Sequence, residues 1–148
     1  MAIYIAGKLI TYTIGKHLVS KAIVDSSQNI YGTITSIYYY SADIEGIIRE
    51  LDIKQRLETI EKVCTSLCEY DDKANIVEGC LESIHHVILE IKADLKNINA
   101  KLAKHKRKFF NNYRSVNVKK YLHSLKIHSA LLDRRYNLLI NSMRVLNN

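Results

Sequence analysis

Between residues 84 and 102 the aliphatic side chains fall at Ile84, Ile88, Ile91, Leu95, Ile98 and Leu102, in steps of 4, 3, 4, 3 and 4. A seven-residue repeat held this long describes a helix with one continuous apolar seam; a strand, whose side chains alternate every two residues, cannot present it. Cys80 and Ile76 extend the seam backwards. A second seam runs through Val118, Leu122, Leu125, Ser129, Leu132, Tyr136, Leu139, Met143 and Leu146, with Ser129 as its one small polar slot. Leu131 and Leu138 widen it, and Asn117 is placed to cap its start. Pro is absent and Gly numbers only 5 in 148 residues, so little interrupts a helix anywhere. Long helices with wide stripes and short connections predict an all-α fold: an antiparallel bundle of about four long helices forming a single domain over residues 1–148. A homo-oligomer stays open, because a seam does not specify whether its partner lies in the same chain.

The middle of the chain repeats the pattern in a different register. Ile44, Ile47, Ile48 and Leu51 form one stripe, and Ile53, Leu57, Ile60, Cys64 and Leu67 form another. The change of register at Asp52 predicts a kink or short break. Ser41 can cap one helix start, and Asp52 with Gln55 has capping-box spacing at a second. The stretch from Asp25 to Ser41 is less regular. Asp25, Ser26 and Ser27 read as cap residues, Ile30, Ile34 and Ile37 recur at helical spacing, and Thr33, Thr35 and Tyr38–Tyr40 favour extended structure. A short extra helix after the N-terminal one is expected here, with the tyrosines as a packing edge.

Residues 1–24 contain no acid and include Lys8, Lys16, His17 and Lys21. The lysines are spread through the segment, unlike a secretory signal, and they interrupt the ~18–20 apolar residues that a membrane crossing needs. Lys8, Thr11, Tyr12, Gly15 and Lys16 share a helix face about 140° wide, opposite Ile3, Ile10 and Ile14. Met1–Val24 is therefore expected to be an apolar N-terminal helix, either a core element or one that inserts into a membrane surface.

Charge divides the chain near residue 100. Residues 1–100 carry 10 Lys/Arg against 14 Asp/Glu, a net of −4; residues 101–148 carry 12 against the single Asp133, a net of +11, which together give the overall +7. The densest part, expected as a basic inter-helix loop over residues 104–117, contains Lys104, Lys106, Arg107, Lys108 and Arg114 beside Phe109, Phe110 and Tyr113. Clustered cations raise the local concentration of anions, and neighbouring rings can enter a lipid interface or stack on unpaired bases. With Lys8 and Lys16, these residues are the candidate binding set. The expected partner is an anionic phospholipid surface or nucleic acid.

Catalytic chemistry finds little footing. There is no phosphate-cradling glycine loop and no nucleophile elbow. Cys64, Cys68, Cys80, His85 and His86 match no zinc pattern, and the cysteines read as reduced apolar side chains. His85 and His86 diverge by about 100° on a helix, so they do not share a metal. No metal, cofactor or small-molecule substrate is expected.

An apolar, glycine-containing N-terminal helix, Met1–Val24, leading into long amphipathic helices with a basic segment resembles the HeLo-type bundles. That group includes the four-helix domain of the mixed-lineage-kinase-like executioner of necroptosis and fungal and plant cell-death relatives. The resemblance covers the whole chain at the level of architecture and implies a membrane-permeabilising role led by Met1–Val24 and the basic residues. No kinase, receptor or amyloid-forming segment is expected after residue 148, and any switch is expected elsewhere. Abundant Ile, Lys, Asn and Tyr also suggest an AT-rich genome, such as those of some large DNA viruses. The expectation is a non-enzymatic interaction bundle that associates with or perturbs membranes, cytoplasmic or peripheral at membranes and not secreted. The alternative is a structural or nucleic-acid-associated protein of a virus particle.

Overall fold

A computed structural model describes residues 2–67, 75–107 and 117–147, and the side chains at 17–67, 76–106 and 117–146. These residues form five helices and no strand: α1 Ala2–Tyr40, α2 Ala42–Leu51, α3 Ile53–Leu67, α4 Asn75–Arg107 and α5 Lys119–Asn147. The all-α expectation holds.

The first correction is at α1. No helix starts at Asp25; one helix of 39 residues runs through it, and Ser26 and Ser27 are buried in its interior. Ile23, Ile30, Ile34 and Ile37 all line the core, and this continuous packing outweighs the extended preference of the threonines. Thr33 and Thr35 fit because their hydroxyls donate to the carbonyls of Asn29 and Tyr31 at 3.1 and 3.0 Å. Gly32 stands where an added Cβ would meet nothing within 4 Å. Its cost is limited to the ~1 kcal/mol of backbone entropy that any helical glycine carries.

Two single residues then turn the chain. Ser41 is extended, with φ −152°, and its hydroxyl accepts from the Ile44 amide at 3.3 Å, capping α2. Asp52 adopts the left-handed conformation, φ 54° and ψ 36°, and its amide donates to the Arg49 carbonyl. The register change read from the sequence is this residue. Asp52 closes α2 from that conformation, in place of the capping box expected with Gln55. The short extra helix of the bundle is accordingly α2, one element later than the sequence suggested.

The pairing of α4 with α5 can be followed in three contacts: Lys101 with Tyr121, Asp94 with His128, and Cys80 with Ser142. As one number falls the other rises by the same amount, so the two helices are antiparallel. Along α1, Gln28 meets Glu61, Tyr31 meets Lys54, and Tyr38 meets Arg49, so α2 and α3 also return antiparallel. The relation of α1 to α4 is different. Lys106 lies against Tyr39 and Tyr40, which brings the two C-terminal ends together, and the helices pack extensively along their length. They therefore run in the same direction, and the bundle mixes parallel with antiparallel neighbours. Ser20 and Ser27, small and buried among the isoleucines of α1, add to its closely packed face.

All five residues of the stripe Ile53–Leu67 are buried, as are Ile84 through Leu102 of the α4 seam. Ile76, assigned to that seam, is 57% exposed. At the other end α4 continues to Arg107, so Lys104, His105, Lys106 and Arg107 are helical and do not belong to a loop. Nothing in that sequence breaks a helix, and cations are favoured by the partial negative charge of a helix C-terminus. Val118 is buried and its carbonyl accepts from the amides of Tyr121 and Leu122, so Val118, one residue after the expected cap at Asn117, flanks the first turn of α5.

Candidate anionic-partner surface

One end of the bundle gathers the C-terminal ends of α1 and α4 and the start of α5. Lys106 Nζ stands 4.2 Å from the ring centroid of Tyr39 and 5.4 Å from that of Tyr40, and the two rings meet edge to face at 5.6 Å. Lys101 and Lys120 approach Tyr121 at 5.7 and 5.1 Å. Lys101, Lys104, Lys106, Lys119 and Lys120 are all exposed, and Tyr39 is 76% exposed. An ammonium over a ring at such a wet position contributes ~0.5–1 kcal/mol, enough to orient the side chains without removing the cations from water. Lys119 and Lys120 occupy the first turn of α5, which contains no acid. Cations there oppose the positive partial charge of the helix end, so the helix dipole and the lysines both favour an external anion.

Of the residues singled out in the sequence, Lys104 and Lys106 lie in this cluster, and the structure adds Tyr39, Tyr40 and Tyr121 to them. Arg107 is in the last turn of α4, with its side chain outside the described residues. Lys108, Phe109, Phe110, Tyr113 and Arg114 lie outside the described residues altogether. Lys8 and Lys16 are on α1, their side chains likewise not described. At 1.5 Å per residue they stand about 48 and 36 Å before Tyr40, so they do not share a site with Lys106. The tyrosine triplet is split: Tyr38 and Tyr40 pack against the core as expected of an edge, while Tyr39 faces solvent.

Sequence reasoning missed a second polar cluster inside the bundle. His128 Nδ1 lies 2.7 Å from Asp94 Oδ2, with Ser124 Oγ 3.4 Å from the same nitrogen. Asp94 is only 7% exposed, and the hydrogen bond to His128 satisfies a carboxylate that burial would otherwise penalise. Ser, His and Asp are thus adjacent, but both oxygens address one ring nitrogen. A nucleophile relay needs the serine and the carboxylate on opposite nitrogens, so this cluster ties α4 to α5 and does not activate Ser124. The signal for it was an acid placed between Ile91 and Ile98 on the buried side of α4. Nearby, Arg56 joins α3 to α5, reaching Asp133 at 2.6 Å and the Ser129 carbonyl at 3.2 Å.

Burial shifts three titrating groups. The Tyr31 hydroxyl is held far above its ordinary range by desolvation first, then by its 2.7 Å hydrogen bond to Glu61. Tyr38 is raised by burial against the pull of Arg49, 4.6 Å over its ring. His85 is lowered by burial, then by His86 and Lys92. A groove of about 360 Å³ between α3 and α5 is lined by Arg56 and Asp133, which neutralise each other. Among the described residues no group of three or more His, Cys, Asp or Glu is placed to hold a metal ion, and no helix is long and apolar enough to cross a membrane.

The chain is similar to an uncharacterised protein, L717, of Acanthamoeba polyphaga mimivirus. The two are 26% identical over 147 aligned positions, covering 80% of this chain and 71% of that protein. A viral relative is consistent with the expectation drawn from the abundant Ile, Lys, Asn and Tyr. No protein-family profile matches the chain, and no solved structure matches it. The HeLo-type resemblance thus rests on sequence architecture alone.

Proposed function

We propose that this protein is a non-enzymatic helical bundle that binds an anionic partner through the end built by α1, α4 and α5. The observation that carries the reading is the set of exposed lysines at this end, with Lys106 over the exposed ring of Tyr39, Lys101 and Lys120 at Tyr121, and Lys104 and Lys119 next to them along α4 and α5. Phospholipid head groups are the leading partner. Lysines supply the electrostatic attraction and an exposed tyrosine sits well at a lipid–water boundary, where its ring is apolar and its hydroxyl wet. The adjoining Lys108–Arg114 stretch extends the same chemistry in sequence.

Under this reading a HeLo-like effector role for the N-terminus is narrowed. Ser20, Ile23 and Ser27 are buried in the bundle, so a membrane-inserting segment is confined to the part of α1 before Ser20, and Met1–Val24 does not detach whole without opening the core. The alternative, a structural or nucleic-acid-associated protein of a virus particle, draws on the same lysines and on the similarity to a mimivirus protein. Flotation with phosphatidylcholine vesicles, with and without phosphatidylserine, run beside a salt titration with single- and double-stranded nucleic acid, separates the two. Co-flotation that requires the anionic lipid is the expected result. Nucleic-acid binding that weakens steeply with salt, without flotation, would replace the leading reading by the alternative.

A further inference from the structure

We infer that the outward face of α5 is a membrane-docking surface that lies on an anionic bilayer. This rests on the proposed binding of an anionic partner and gives it a second, extended contact. Ile127, Leu138 and Val145 are 50%, 52% and 75% exposed, and half-buried Leu131 completes the row. On a helical wheel these four fall within about 40° of each other, about 120° around the helix from the buried Leu125, Leu132 and Leu139. The stripe spans about 27 Å of helix. Exposed Lys126 and Arg144 flank it on one side, exposed Arg135 on the other, and Arg134 stands at its edge. The helix has a single acid, Asp133, and that carboxylate is bound by Arg56.

An aliphatic row between cations fits the boundary of an anionic bilayer, where the methyls enter the acyl region and the guanidinium and ammonium groups meet phosphates. A nucleic-acid backbone would satisfy the cations and leave Ile127, Leu138 and Val145 in water. A partner helix is a poor fit as well: an interlocking seam through Ile127, Leu131, Leu138 and Val145 would place exposed Arg134 and Asn141 at its intervening positions, where apolar side chains are needed. A fluid lipid surface accommodates isolated protrusions. The outward side of α4 serves as the contrast, because exposed Leu89 there shares its face with Glu78, Glu82 and Lys96 and has no other large exposed aliphatic in its row.

The chain contains no Trp, so Leu138→Trp and, separately, Leu89→Trp in the full chain each place a unique fluorophore on one of the two faces. With phosphatidylcholine–phosphatidylserine vesicles, the emission of the Leu138→Trp variant should move to shorter wavelength and be quenched by brominated lipid. The emission of the Leu89→Trp variant should not change. Phosphatidylcholine alone should have no effect on either. Ile127→Ser/Leu138→Ser/Val145→Ser should keep the helical spectrum and weaken partitioning roughly tenfold or more. If the parent floats with anionic vesicles while the fluorophore on α5 stays unchanged, or the triple variant binds like the parent, the α5 inference is overturned and the basic-end reading stands. An equal response from the fluorophore on α4 also overturns it. If the parent does not float with anionic vesicles at all, both fail together.

Discussion

Helices α4 and α5 carry the same alternation of four- and three-residue steps, yet their seams are buried to different depths. From Ile84 to Leu102 every seam position of α4 is at most 7% exposed. On α5, fully buried Leu125, Leu132 and Leu139 alternate with partly exposed Leu122, Tyr136 and Met143, and the seam ends at Leu146, 43% exposed. The difference lies in the number of neighbours. α4 is packed extensively against both α1 and α5, and Val77, Leu81 and Val87 give it apolar side chains beyond the seam. α5 is packed on α4, meets α3 chiefly through Arg56, and leaves one side free. A period identifies an apolar face, and the width of that face tells how many helices cover it.

Truncating the seam should separate the helices most strongly. Leu95→Ala, at the centre of α4, is expected to cost roughly 2–5 kcal/mol in denaturant unfolding, because it removes a fully buried side chain between two packed helices. A near-neutral effect at Leu95 would break the contrast at its strongest point.

The polar tie between the two helices comes next. Asp94→Ala should cost about 1–3 kcal/mol by leaving the half-buried His128 without its acceptor. Combining it with His128→Ala should then cost less than the sum of the two single changes, as expected for a coupled pair. Strict additivity in that cycle would show that the 2.7 Å contact does not hold α4 to α5.

A smaller effect is expected in acid. Burial lowers the His85 affinity for protons on α4, whereas the unfolded chain protonates this group near its ordinary 6.5. The unfolded state therefore binds more protons below that pH, so the contribution of His85 is present above about pH 6.5 and is lost as pH falls through it. His85→Gln should flatten the acid limb of the stability profile below about pH 6.5. An unchanged limb would mean that even this side of α4 is as open as α5. Smallest of all should be Leu138→Ala on the free side of α5, within about 0.5 kcal/mol of the parent. A loss there comparable to that at Leu95 would mean that something covers this face.

Much of this contrast was legible in the sequence, and some of it was not. The stripe Ile53–Leu67 and the change of register at Asp52 could be read because both are local: spacing sets the face, and a shift of face needs a turn. The continuity of α1 was hidden because Thr33, Thr35 and the serines weaken a helix locally, and only packing along its whole length decides the matter. The meeting of Tyr39 with Lys106 was out of reach, since it depends on α1 and α4 running in the same direction, which no local spacing encodes. Asp94 and His128 were within reach. In an antiparallel pair, positions equidistant from the turn oppose each other, and an acid among buried isoleucines calls for a partner there.

The most direct measurement is vesicle binding by a variant with Lys101, Lys104, Lys106 and Lys120 replaced by Gln, compared with the parent at matched salt. These lysines are exposed, so the melting temperature should hold within the small range typical of surface charges. Co-flotation with phosphatidylserine-containing vesicles should fall by at least about tenfold, with a flatter salt dependence in whatever binding remains. A folded variant that floats as well as the parent, with the same salt dependence, would contradict a role for the basic end in binding.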